Sequence, residues 1–311
     1  VTGASPEQVL AALVPIFGVI ALGWTLRRTG LVARDLWGGI NRLSYQALLP
    51  ALLFATISRA DYAGLPAGSF LIAVTLAFLA MGAICLAFRP LPVSGPSFTS
   101  LFQGGVRWNG FVLLALAPAA FGPEGAALAA LVFAPTVPLV NVMCVAVLTV
   151  WGASAVKPDA VRVGMRIVTN PLILGCLAGA AANAAGLFQT GAVADTIDLA
   201  GRAALPLILL CIGAGLDFSA IRARPRILIL AVALKLIVAP VMFIAIGLAL
   251  GVEGIALAVL AGVGSTPGAA AAYVLAREMG GDSELTAGHV TATTLLAALA
   301  MPFWIWVATT L

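Results

Sequence analysis

The 311 residues are 62% hydrophobic and 9% charged, with a mean hydropathy of +1.12, which excludes an ordinary soluble domain and leaves no stretch for a soluble catalytic one. The net charge of +4 invites an anionic partner such as nucleic acid, but the basic residues are scattered among one set of loops, which membrane topology explains better. The apolar runs do not alternate with polar residues, which excludes a β-barrel, and Cys85, Cys144, Cys176 and Cys211 fall inside those runs without metal-ligand spacing, as small buried hydrophobes do.

A membrane-spanning helix needs roughly 20 apolar residues, and turn signals cut the chain into about ten such runs, an all-α polytopic membrane protein. The first is expected from Glu7 to Leu26; Arg27, Arg28 and Arg34 follow it and no basic residue precedes it, the reverse of a cleaved signal peptide. The second, Gly39 to Ser58, opens with Asn41, Arg42, Ser44, Tyr45 and Gln46, and the third runs from Ala67 to Phe88. The fourth, Ser97 to Phe121, carries Gln103-Gly104-Gly105-Val106-Arg107-Trp108-Asn109-Gly110 in its middle and Pro118 beyond; the fifth, Gly125 to Trp151, contains Pro135 and Pro138. A polar connection, Gly152 to Val163, then divides the chain into 1–156 and 157–311.

The second half repeats the first, with spans expected near Arg166 to Leu187, Ile197 to Leu216, Arg226 to Leu250, Ile255 to Arg277 and Leu285 to Leu311. A shift of 156 positions overlays Pro15 on Pro171, Gly23 on Gly179, Gly30 on Gly186, Pro50 on Pro206 and Asp61 on Asp217. A further shift of two sets Gly104 on Gly262, Gly110 on Gly268 and Gly122 on Gly280. Proline and glycine matches carry weight because those residues are tied to backbone geometry. In the ninth span, Gly264-Ser265-Thr266-Pro267-Gly268 places five poor helix formers in a row. The weak helices are thus the fourth members of two five-helix units.

Alternate loops hold Arg27, Arg28, Arg34, Arg89, Lys157, Arg162, Arg222, Arg224, Arg226 and Arg277; the opposite loops hold only Arg59 among Glu124, Asp195, Asp198 and Glu253. The positive-inside rule then puts both termini outside. An odd number of spans per unit inverts one unit against the other, and an inverted repeat with a broken helix in each half is the pattern of an alternating-access carrier. The alternative is a structural ten-helix protein that retains an old duplication.

Helix breaks expose backbone N–H groups whose dipoles favour an anion. Arg107 falls in the same place, with no acidic residue mid-span to neutralise it, so the substrate itself is expected to bring the negative charge; its fork suits a carboxylate. Alternatively Arg107 snorkels or bonds broken-helix carbonyls. The candidate substrate-binding residues are Arg107, Asn109, Gln103, Gly110, Ser265, Thr266, Pro267 and Gly268, with Lys235, Asn41 and Tyr45 behind them. For Asn109, Gln103, Ser265 and Thr266 helix-packing glue is an equal alternative. Arg202 is expected at the outer interface. His289, the only histidine, is placed near the inner end of the last span, as a proton carrier or as a surface or packing residue.

The segment Pro267-Gly268-Ala269-Ala270-Ala271-Ala272-Tyr273-Val274-Leu275-Ala276, then Gly280-Gly281-Asp282 and Thr291-Ala292-Thr293-Thr294-Leu295-Leu296, resembles the closing segment of the auxin efflux carrier family, which includes plant PIN-FORMED proteins and bacterial organic-acid permeases. Leu43 to Phe54 is similar to its second helix and Gln103 to Phe111 to an Arg-x-Asn version of its fourth. Many members have a proline soon after that Asn; here only Pro118 follows, so the fourth-helix break could lie at Gly110 or at Pro118.

The resemblance implies an elevator: a scaffold of 7–58 and 166–217, often a homodimer interface, and a transport domain of 67–151 and 226–311 whose fourth and ninth helices cross at their breaks. The implied function is secondary transport of small organic anions, auxin- or malonate-like, across a bacterial inner membrane. No enzyme activity, metal or cofactor is expected, and coupling to sodium or protons stays open. The membrane potential alone supplies about 2.3 kcal/mol per 100 mV for export of a monoanion. The alternatives are a sodium- or proton-coupled importer of another solute and a non-transporting membrane sensor.

Overall fold

The computed structural model describes residues 6–62, 65–154, 161, 164–165 and 168–311. Lys157, Arg162, Arg166 and the division at 156/157 lie outside the described residues. Every described element is helical: α1 (Pro6–Thr29), α2 (Leu36–Leu43), α3 (Leu49–Ser58), α4 (Ala67–Ala87), α5 (Gly95–Val106), α6 (Gly110–Leu131), α7 (Phe133–Trp151), α8 (Pro171–Ala184), α9 (Ala192–Arg202), α10 (Ala204–Ala214), α11 (Pro225–Ala233), α12 (Ala239–Ala249), α13 (Gly254–Ser265), α14 (Ala271–Met279) and α15 (Ser283–Thr310). Six described helical stretches are long and apolar enough to cross a membrane, while α8 and α13 are shorter apolar helices. The chain is a multi-pass membrane protein.

Two five-residue π turns interrupt the ladder, Ser44–Leu48 and Leu234–Val238. Each is followed within two residues by a proline, Pro50 or Pro240. Proline cannot donate to the carbonyl four residues back and its ring collides with it, so the backbone widens there. For Pro240 that carbonyl is Leu236, and the Trp304 indole Nε1 donates to it at 2.8 Å. A side chain thus satisfies a group that lipid could not.

With little hydrophobic force between helices in lipid, close packing needs small residues. α3 lies along α8 where Gly175 and Gly179 face its backbone: β-carbons there would stand 2.8 Å from the Pro50 carbonyl oxygen and 3.0 Å from that of Phe54. α1 lies along α10 in the same way, with Gly23 against Leu210 and Gly213 against Ile20. A second group packs mainly on itself: α4 with α5, α7 and α12, α13 with α12 and α15, and α5 with α7, α11 and α15. α6 touches α1, α3 and α10 as well as α13, so it runs along the seam.

Asp282 ties the ends of the second group together. Its carboxylate caps α15 by accepting from the Leu285 amide at 3.0 Å, accepts from Ser97 Oγ at the start of α5 at 2.8 Å and pairs with Arg224 at 2.7 Å. Arg202 pairs with Asp198 one turn away at 2.7 Å and is largely exposed.

Candidate functional site

The α5 helix stops at Val106 and α6 starts at Gly110; between them Arg107 (φ −78°, ψ 136°) and Asn109 (φ −93°, ψ 84°) are not helical. This settles the fourth-helix break at 107–109: Pro118 lies inside α6, whose one non-helical residue is Gly122 at φ 67°. Glycines 104, 105 and 110 weaken the helix on both sides, and the Trp108 ring fills the gap, 5.2 Å from Phe133 and 6.0 Å from Phe78 between centroids. The α13 helix ends at Ser265 because Pro267 disfavours the helical conformation in the residue before it; Thr266 is extended at φ −58°, ψ 153°.

The two interruptions touch. The Asn109 amide donates to the Pro267 carbonyl at 2.9 Å, and the Gly268 amide to Thr293 Oγ1 on α15 at 3.0 Å. The Arg107 and Thr266 amides bond back to Gln103 and Gly262 of their own helices. Freed backbone groups are thus consumed inside the protein, as a non-hydrogen-bonding surround requires.

In front of the contact lies a cavity of about 1010 Å3, lined at its inner end by Arg107, Asn109, Gly110 and Ala269–Ala271, along its wall by Asn41, Tyr45, Thr136 and Asn141, and at its mouth by Arg27, Arg34, Asp217, Arg277 and Glu278. Four arginines against two carboxylates give it a positive potential that draws anions. Arg107 is 8% exposed. Its Nη2 donates to Asn141 Oδ1 at 2.9 Å, its Nε has no partner, and no salt bridge to it occurs among the described residues. The guanidinium is held by a neutral amide, keeps donor capacity in reserve, and points neither to lipid nor to broken-helix carbonyls. Asn109 Oδ1 is also unpartnered.

At the mouth, the Asp217 carboxyl is held below the usual carboxylate range, first by the Ser219 hydroxyl and further by the Ser219 and Ala220 amides and the Arg27 charge. The Arg27 guanidinium donates to the Ala214 carbonyl. Tyr45 accepts at its hydroxyl from Asn170 at 3.1 Å.

The remaining sequence candidates lie elsewhere. Ser265 and Thr266 turn their hydroxyls onto the Ala261 and Val263 carbonyls at 2.7 and 2.8 Å, and neither lines the cavity. Gln103 is fully buried behind the break with both amide atoms unpartnered. Lys235 sits on the second π turn, also behind the break and outside the cavity. His289, expected near a helix end, is buried at the helix contact itself. Sequence reasoning passed over Asn141, although it is the one strongly polar residue in α7.

The chain matches the family described as "Membrane transport protein" over residues 8–157 and 159–305. It belongs to that family, the auxin efflux carriers. Among its relatives are an "Uncharacterized transporter" of Methanothermobacter thermautotrophicus, 26% identical over 306 residues and covering 96% of this chain and 97% of the relative. Another is a "Putative malonate transporter" of Rhizobium meliloti, 27% identical over 297 residues and covering 93% and 92%. For an auxin efflux carrier, the resembling segment 267–276 forms the second break and the start of α14, facing Arg107 across the cavity end.

Proposed function

We propose that this protein is a secondary carrier of small organic anions, with carboxylates of the malonate type as its substrate class, and that Arg107 is the group that recognises their charge. The observation that carries this reading is a buried guanidinium that lies between the neutral Asn141 amide and the Cys144 thiol, with no carboxylate partner among the described residues, at the end of an arginine-lined cavity. A charge so placed costs several kcal/mol unless compensated; an incoming carboxylate supplies the compensation. Asn109, Gly110 and the amides opening α6 and α14 complete the site. Ser265, Thr266, Pro267 and Gly268 shape the second break rather than touch the anion.

The pairing of α1 with α10 and α3 with α8 supports a scaffold of 7–58 with 166–217, against which a transport domain of 67–151 with 226–311 moves as an elevator. Two inverted five-helix repeats are supported by the glycines at matching positions, Gly30 with Gly186 and Gly122 with Gly280, all at φ between 65° and 74°. The loop arginines support a cavity mouth on the cytoplasmic side of a bacterial inner membrane, with both termini outside and the cavity open inward. The exposed faces of the scaffold suit a homodimer.

The test is uptake of radiolabelled malonate into proteoliposomes. Arg107→Gln should lower it at least tenfold while the melting transition stays in place. Parental uptake by a well-folded Arg107→Gln would remove Arg107 from the site.

A further inference from the structure

Behind the crossing, away from the cavity, lies a second polar cluster. Lys235 is 1% exposed and His289 2%, and neither lines the cavity. The imidazole is seated between the two interrupted helices: β-carbons on Gly104 and Gly268 would stand 3.1 and 2.8 Å from it. Its Nε2 has no partner, and neither has either amide atom of Gln103, the residue before Gly104. Proteins leave few buried polar atoms unpaired, and a packing role at these positions would be better filled by apolar side chains.

Helix polarity sorts charge across this contact. α5 and α13 both end here, and their last turns lie on the Lys235 side, with a β-carbon on Gly105 3.8 Å from Leu234 and one on Gly264 2.7 Å from Pro240. α6 and α14 both begin here, and Gly110, Phe111 and Ala271 of their first turns line the cavity. Negative helix ends therefore face backward, where a cation is favoured, and positive ends face forward, where an anion is.

Among the described residues, the ionisable groups on the elements around His289 are Lys235 on the π turn, Cys85 on α4, Glu7, Arg27 and Arg28 on α1, Arg107 at the first break, Asp217 and Arg222 on the loop against Gly288 and Thr291, Tyr273 on α14, and Arg224, Arg226, Arg277, Glu278, Asp282 and Glu284 at the helix ends. Adjacent residues of α5 meet the two groups: a β-carbon on Gly104 would stand 3.1 Å from the ring and one on Gly105 3.8 Å from Leu234, the residue before Lys235, so the Lys235 charge acts on the imidazole, which also has the Ala231 carbonyl beside it. Two bases thus share one buried space without a carboxylate, where like charges repel strongly.

We propose that Lys235 and His289 together form a proton-binding site behind the crossing, and that it takes up its proton together with the anion bound in front. The second half rests on the anion reading of the cavity; the first does not. An anion at Arg107 offsets the repulsion between the two bases, and by reciprocity the bound proton tightens the anion's hold. The proton passes from cavity water to the imidazole, whose neighbours in sequence Ala287 and Val290 line the cavity. The coupling makes the carrier an anion–proton symporter.

Because His289 is the only histidine, histidine-labelled nitrogen NMR of the full chain in lipid, purified without a histidine tag, reads this site alone. Titrated from about pH 8 down to about pH 3, the parent imidazole should change its protonation state. Lys235→Gln should move the midpoint up by about one pH unit, a tenfold change, and malonate should move the parent midpoint up likewise but not that of Arg107→Gln. An imidazole that keeps one protonation state in both parent and Lys235→Gln, or malonate that binds without moving the midpoint, overturns the proposal. Should malonate fail to bind while Lys235→Gln still shifts the imidazole, the proton site stands and the anion reading falls. In proteoliposomes, His289→Gln should show less lumenal acidification per malonate taken up than the parent; an equal ratio of acidification to malonate in the two would also overturn it.

Discussion

Asn141 offers a sharper perturbation than Arg107 itself. Replacing it with aspartate puts a carboxylate oxygen where the amide oxygen now accepts from Arg107 at 2.9 Å. The guanidinium then has an internal counter-ion and the site no longer lacks a negative charge. A unit charge pair about 4 Å apart interacts by about 4 kcal/mol at an effective dielectric of 20. An added carboxylate at that distance from a bound anion opposes it by a similar amount, so affinity should fall by about a thousandfold. The internal pair should at the same time hold or raise the melting temperature, which separates lost binding from lost folding. Asn141→Gln keeps the neutral acceptor and should bind within a few-fold of the parent. Calorimetric titration of malonate into detergent-solubilised protein reads all three. If Asn141→Asp binds malonate as the parent does, the substrate does not meet Arg107 and the site is wrongly placed.

Other parts of the structure make separate predictions. Trp304→Phe removes the donor that satisfies the Leu236 carbonyl, and leaving a buried acceptor unpaired costs about 1–3 kcal/mol; thermal denaturation should show a matching loss, and an unchanged midpoint would mean that the carbonyl finds another partner. Asp217 lies outside the spans with its carboxyl held low by Ser219, so its contribution is present above the unfolded value of about 3.9 and is lost as pH falls through the lower folded value. Asp217→Asn should therefore flatten the acid limb of the melting profile and leave neutral pH little changed. An acid limb identical to the parent's would refute that assignment.

The sequence carried the second break in full, because Thr266-Pro267-Gly268 contains both the residue that cannot continue a helix and the one it forces out of helical geometry. The first break was legible only as a weak region. Pro118 marks the stronger local disfavour, yet it stays within α6, and Arg107 to Asn109 gives way instead because Trp108 gains aromatic packing by leaving the helix. Arg107 was legible as a charge without a carboxylate, but its amide partner was not: a lone asparagine on an apolar helix gives no hint of which neighbour it meets. His289 was placed by its distance from a helix end, whereas the contact between the breaks lies close to the first turns of α15. Its role depends on two glycines far away in sequence, a relation that only packing reveals.

The bonds at the breaks also bear on how such a carrier would move. The Asn109 amide is committed to the Pro267 carbonyl, so separating the two interruptions would leave both of these backbone groups unsatisfied in hydrocarbon, at several kcal/mol each. α6 touches α1 with no backbone hydrogen bond between them among the described residues, so the α6–α1 seam can slide without orphaning a backbone group. Motion at that seam is therefore less costly than motion at the crossing, and the anion should travel with both breaks as one body. In a background lacking Cys85, Cys144, Cys176 and Cys211, a cross-link tying α5 to α13 should leave malonate uptake near the parent's rate, whereas one tying α1 to α6 should stop it. The opposite pattern, transport halted by joining the two interrupted helices, would mean that the crossing itself opens and that the carrier works by parting its breaks.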